Sequence, residues 1–268
     1  MLKKISPINL AKKLFPINRS LTGEGNRKTL SILKDICSNL IIKSFKSQKK
    51  VFDWTIPNEW MVNDAYILTP DNKKICSFKK NNLHLVGYSQ AIKKKINLKE
   101  LQHNLYSLPK QPSAIPYITS YYENTWGFCI SHNERKKLKK GIYQIVIDTK
   151  FKNGKLNYGE IFFKGSLKKE IFFSTYICHP SMANDEISGM VVAIFLANYI
   201  QRKNRKYSYR FLFNPETIGS IAYLHKNIKH LKNEMLAGYV LSCVGDERCF
   251  SFLPSKYGNT PSDKIAKK

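Results

Sequence analysis

The stretch EIFFSTYICHPSMANDEISGMVVAIFLANYIQR (170–202) decides how this chain is read. Its first eight residues, EIFFSTYI (170–177), are aromatic and β-branched and stop at a polar turn, as a strand covered on both faces does. EISGMVVAIFLANYIQR (186–202) is too long for a typical strand and repeats Val191, Phe195, Leu196 and Ile200 at helical spacing. The alternation continues downstream. YSYRFLFN (207–214) and LAGYVLSCV (236–244) read as strands, and TIGSIAYLHKNIKHL (217–231) between them puts Ile218, Ile221, Leu224, Ile228 and Leu231 on one stripe. Strand, helix, strand, helix, strand implies right-handed crossovers and a parallel sheet, so the expected class is α/β, doubly wound and mostly parallel.

Three polar segments follow these strands directly: CHPSMAND (178–185), NPETIG (214–219) and VGDE (244–247). They carry His179, Asp185, Glu216 and Asp246. Ligands of open α/β sheets bind outside the carboxyl ends of the strands, so these groups are expected to converge on one small volume. Imidazole with carboxylates suits zinc. Each residue also has a plainer reading: Asp185 as a helix cap, His179 hydrogen-bonded in its loop, Glu216 as a helix-start carboxylate, and Asp246 as a turn former. Three adjacent strand ends that all bear a ligand or base are harder to ascribe to capping.

Upstream the character changes. Residues 1–44 read as helical, with Leu30, Leu33, Ile36, Cys37 and Leu40 in a stripe after the Gly-interrupted turn RSLTGEGN (19–26). A β-rich insert then starts at 45 and runs to 120, broken by turns such as TPDNK (69–73), with one helical interlude at NLKELQHNLYSL (97–108). Its β character extends to about 165, because IYQIVIDT (142–149) and KLNYGEIFFKG (155–165) read as a hairpin reversing at Asn153-Gly154. The α/β core is taken as 121–268.

The net charge of +26 invites a nucleic-acid reading, but only 7 of the 45 basic residues are Arg and the lysines are spread over every segment. Runs such as KKLKKG (136–141) and KSQKK (46–50) are left as weak polyanion sites, with no specific nucleic acid as partner. The six cysteines form no CxxC pair and read as reduced thiols of a cytoplasmic protein. The opening MLKKISPINLAKKLF lacks the apolar core of a signal peptide, and no run is long enough for a membrane span, so a soluble protein is expected.

HPSMANDEISGMVVAIFLA (179–197), YRFLFNPETIGS (209–220) and GYVLSCVGD (238–246) resemble three strand-end motifs of the co-catalytic zinc aminopeptidases, the superfamily of bacterial leucyl aminopeptidase and glutaminyl cyclase. FPINRSLTGEGNRKTL (15–30), PYITSYYENTWGFCISH (116–132), LNYGE (156–160), STYICHPSMAND (174–185) and PETIGSIAYL (215–224) together resemble a domain-of-unknown-function family of aminopeptidase-like bacterial proteins, in which a β-rich domain interrupts the peptidase fold. The resemblance implies that His179 is a terminal zinc ligand, Asp185 a metal bridge, Glu216 the general base and Asp246 a terminal ligand. Thr217 stands where those aminopeptidases have a second, metal-binding glutamate, so it implies one zinc and leaves a second open. Their last ligand is a downstream histidine, whereas this chain stops 22 residues after Asp246 with no histidine beyond His230; a C-terminally truncated sheet is expected.

Arg19 could bind a substrate carboxylate or brace its own loop. Tyr122, Trp126 and His132 could line a substrate pocket or belong to the core of the insert. His225 and His230 lie among lysines and read as solvated. The expected activity is a metal-dependent hydrolase of peptides or other small amides; the alternative is a non-catalytic binding or assembly protein of the same descent.

Overall fold

The structure, a computed structural model, describes residues 5–249 and 251–268; the first four residues of the opening stretch lie outside it. The chain forms two compact units, one made of Met1–Ile56 and Gly154–Lys268 and the other of Pro57–Asn153. The insert thus begins later than residue 45 and continues past 120, taking in residues assigned above to the core.

The first unit is built on a five-stranded sheet. From one edge its strands are Ile41–Lys46, Lys155–Phe163, Ser208–Asn214, Glu170–Tyr176 and Met235–Val240. The last three are mutually parallel, as the alternation with helices Gly189–Ile200 and Ile218–Glu234 requires, while the first two add antiparallel pairings. Helices Pro7–Leu14 and Glu24–Ile36 share one core with the 189–200 helix and with Ile161, Phe163, Phe211 and Phe213 of the sheet. The expected stripe at Leu30, Leu33, Ile36, Cys37 and Leu40 is buried in this layer.

The second unit holds a four-stranded antiparallel sheet in which Ile142–Lys152 lies between Glu59–Leu68 and Ile92–Asn97, with Lys74–Ile75 at the edge. The expected hairpin at Asn153-Gly154 is therefore not formed. Both edges of the 142–152 strand are already paired, and Lys155–Phe163 joins the other sheet instead. The burial pattern explains the split: 142–152 alternates like a strand with one wet face, whereas 155–163 is buried almost throughout and needs cover on both sides.

On the sheet face opposite the main core, Arg210 makes a bidentate pair with Glu170 (2.8 and 2.9 Å) and also contacts Glu160. Tyr223 from the 218–234 helix donates to Glu160 (2.8 Å), and Lys43 reaches the same carboxylate. His225 and His230 are both exposed, as expected, and each also has a protein partner: His230 lies 2.8 Å from Glu170 and His225 accepts the Phe52 N–H (3.3 Å). Burial opposes ionisation of both glutamates. Hydrogen bonds from Lys43, Tyr223 and Arg210 at Glu160, and from Arg210 and His230 at Glu170, outweigh it and hold both carboxyls below their ordinary range. Because these values are depressed on folding, the stabilisation is complete above the unfolded value of about 4.3 and is lost as pH falls through the folded values. Thermal melts should therefore fall steeply below about pH 4. A Glu160→Gln/Glu170→Gln variant is expected to be weaker at neutral pH and to show a shallower acid slope; an unchanged slope would exclude this network as the source.

Candidate functional site

The site lies at the carboxyl ends of the parallel strands. Past the 170–176 strand, Ile177 and Cys178 are fully buried, and His179 follows at the rim. The chain then makes a tight π-type turn at Ala183–Ser188, in which Asp185 and Glu186 leave helical geometry, and enters the 189–200 helix. Gly189 lets this turn press on the sheet, since a Cβ there would come within 2.2 Å of the Leu241 carbonyl oxygen and 2.6 Å of Thr175 Oγ1. This is the physical need behind the Ser-Gly pair.

Glu186 is the organising residue. It is fully buried, and its Oε1 accepts from Arg19 Nε (2.8 Å), while its Oε2 accepts from the Cys178 N–H (2.6 Å) and lies 3.2 Å from His179 Nδ1. Arg19 is itself 1% exposed and also donates to the Leu14 carbonyl (2.6 Å). Of the two roles open to it, the structure shows the structural one: the guanidinium is enclosed, with Nε on Glu186 and Nη1 on the end of the first helix, while Nη2 is buried without a hydrogen-bond partner. Glu186 was not singled out from the sequence. Beside Asp185 it looks like one more acid at a helix start, and only its pairing with an arginine 167 residues away marks it.

The structure brings His179 and Glu216 together, with Nε2 3.3 Å from Glu216 Oε2. Glu216 is delivered by the turn after the 208–214 strand, its side chain 48% exposed, and its backbone N–H donates to Cys178 Sγ (3.2 Å). The next residue, Thr217, sits at φ 55° and ψ −86°, a left-handed conformation rare for a β-branched side chain. Such outliers persist where surrounding packing over-determines them, here between a sheet strand and the helix that leaves it.

Asp185 accepts from the Tyr176 hydroxyl (2.8 Å) and caps no helix amide among the described residues. Tyr176 also touches Ser242, and its ring stands edge-on to His179 at 5.3 Å. Asp246 differs from expectation. Its carboxylate pairs with Arg248 (3.1 Å) and accepts from Asn184 Nδ2 (3.1 Å), and the guanidinium lowers its pKa. Among the described residues, the clustered group of possible ligands is Cys178, His179 and Glu186, not His179, Asp185 and Asp246. The 235–240 strand ends at Val240, and the short loop after it folds Asp246 onto the arginine two residues on.

The donor chemistry separates two sets of atoms. The Cys178 thiol is pushed far up by complete burial and by the neighbouring Glu186, so it stays protonated, and the Glu186 oxygens are taken by three donors. That trio fits a cation poorly. The His179 imidazole and the Asp185 carboxylate are the nitrogen and oxygen donor types that suit zinc, and Glu216 stands 3.3 Å from His179 Nε2. Burial pulls the His179 pKa down, but Glu186, Asp185 and Glu216 raise it above its usual value, so the surroundings favour positive charge at this ring. A histidine whose second nitrogen is held by a carboxylate is the usual arrangement behind a metal ligand.

Tyr122, Trp126 and His132 all lie in the 57–153 unit. His132 bonds Ser107 (3.1 Å), Trp126 lies under Lys94, and Tyr122 is exposed. Residues 8–268 match the profile of a domain of unknown function, DUF4910. The chain belongs to the DUF4910 family. A Clostridium acetobutylicum protein provisionally described as a polysaccharide biosynthesis protein with aminopeptidase-like domain is 45% identical over 260 residues, covering 97% of this chain and 59% of its own. A crystal structure of a provisionally named peptidase from C. acetobutylicum superposes with TM-score 0.94 at 44% identity, over 97% of this chain and 61% of that one. This DUF4910 chain thus spans about three fifths of the length of these relatives. BSAP, a zinc aminopeptidase from Bacillus subtilis, shares the fold at 11% identity with TM-score 0.57, over 90% of this chain and 70% of its own. A peptidase M28 precursor from Shewanella amazonensis does so at 11% identity and TM-score 0.59, over 86% and 69%. The DUF4910 chain therefore has the aminopeptidase-like α/β fold read from its strand ends. No helix among its described residues is long and apolar enough to cross a membrane.

Proposed function

We propose that this chain is the zinc-binding part of a cytoplasmic aminopeptidase-like hydrolase acting on small peptides or other small amides. The observation that carries the reading is the His179 imidazole, held at Nδ1 by buried Glu186 and facing Glu216 with Nε2. His179 and Asp185 would hold the zinc, which would polarise a scissile carbonyl and lower the pKa of a water. Glu216, half-exposed beside them, takes the proton as general base and passes it to the leaving amine. Glu186 and Arg19 keep the imidazole in one orientation and one tautomer. The printed description of the Clostridium relative makes an amide carried on a saccharide one candidate substrate. The engagement of Asp246 with Arg248 favours the second reading, a non-catalytic binding protein on the same frame.

Metal content separates the two. After equilibration with zinc and desalting, the purified chain is expected to retain about one zinc, and His179→Ala to retain almost none while keeping its circular dichroism spectrum. A folded wild-type protein without stoichiometric zinc would rule out the hydrolase. Hydrolysis of a panel of aminoacyl anilides then tests the reaction class.

A further inference from the structure

The lysine run KKLKKG, unused by the site above, forms one wall of a cleft of about 600 Å³ within the 57–153 unit. The opposing walls are the Thr69–Lys73 turn with the Lys74–Ile75 strand, and the loop bearing Ser77 and Lys80; Ile130 and Tyr143 also line the cleft. The volume lies within the span of small-molecule sites, about 300–1,000 Å³.

Six lysines line this cleft against two acids, Asp71 and Glu134. Asp71 accepts from Thr69 (2.5 Å) and pairs with Lys73 (2.9 Å), while Glu134 accepts from Ser131 (2.8 Å). Lys74 is drawn to Asp64 at 3.3 Å. Lys80, Lys137, Lys139 and Lys140 have no acidic partner among the described residues. Four like charges around one concave volume repel one another, and an anion between them removes that cost. The lysine-bearing turn is also fixed in place. Tyr143 donates to the Lys139 carbonyl (2.7 Å), and Gly141, at φ +149°, packs so near Pro70 that a Cβ would come within 2.5 Å of its ring.

We propose that this cleft is a binding site for a multiply charged anionic small molecule bearing phosphate or carboxylate groups, with its body resting on Ile75, Ile130 and Tyr143. Lysine ammonium groups bind phosphate as point charges, without the bidentate geometry that arginine would impose. The site does not depend on the hydrolase reading.

The test is calorimetric titration of the full chain with tripolyphosphate and with a trimer of galacturonic acid, at low and at physiological salt. Saturation near one molecule per chain is expected for at least one probe, weakening with salt as screening requires. The preferred probe distinguishes phosphate from carboxylate. Lys80→Gln/Lys137→Gln/Lys139→Gln should weaken binding at least about tenfold, whereas Lys46→Gln/Lys49→Gln/Lys50→Gln, which removes the same charge from the KSQKK turn, should change it less than about twofold. Equal weakening by both triple variants, or titration without saturation for both probes, would show diffuse surface charge only and overturn the proposal. Unchanged thermal melts guard against misfolded variants.

Discussion

Replacing Glu216 with glutamine is expected to slow hydrolysis by about 10²–10⁴-fold, the usual contribution of a positioned general base. The amide keeps the size of the side chain but cannot take a proton from water. The substitution leaves His179 and Asp185 in place, so the loss should fall on kcat with KM little changed. Zinc content should stay close to wild type, because the proposed metal ligands are His179 and Asp185. Progress curves on the best aminoacyl substrate, with metal analysis of the same samples, make the comparison. A Glu216→Gln protein that holds zinc and hydrolyses within about threefold of wild type would remove Glu216 from the base role.

Arg19→Ala is the second large effect, and it is one of stability. Arg19 and Glu186 form an ion pair with both side chains fully buried, and removing one partner strands a charge that water cannot reach. Breaking such a pair typically costs about 3–5 kcal/mol. Urea denaturation followed by circular dichroism measures it. An Arg19→Met/Glu186→Gln double variant should recover much of this loss, since it leaves no unpaired charge. It should still bind zinc about 10–100-fold more weakly, because a neutral amide orients His179 less firmly than a carboxylate. A double variant as unstable as Arg19→Ala would show that packing around the guanidinium, rather than charge, holds this corner together.

The parts of this site that lay in continuous strand-end motifs could be read from the sequence, and those that depended on distant partners could not. His179 and Glu216 follow hydrophobic strands at fixed spacing, and the parallel order of those strands puts both at one sheet end. The Arg19–Glu186 pair spans 167 residues with no local pattern, so its acid was passed over and its arginine was left between a substrate carboxylate and its own loop. Asp246 shows the turn-forming role that the sequence also offered, accepting from the backbone N–H and the guanidinium of Arg248 two residues on. The Asn153-Gly154 hairpin had the right turn residues. What it lacked was a free neighbour, because both edges of the 142–152 strand are taken by segments from 59–68 and 92–97.

In the 41–46 and 155–163 strands, Lys46 lies opposite Lys155, and just beyond them Ser47 N–H donates to the Gly154 carbonyl (3.0 Å). Gln48 N–H donates to the Ile56 carbonyl (2.8 Å), so the residues flanking both ends of the interruption are tied to neighbouring positions, Ser47 and Gln48, and the entropy of closing that loop grows only slowly with the number of residues it contains. This junction acts as a socket: lineages could exchange, lengthen or trim the interposed cassette without disturbing the register that carries the histidine and glutamate.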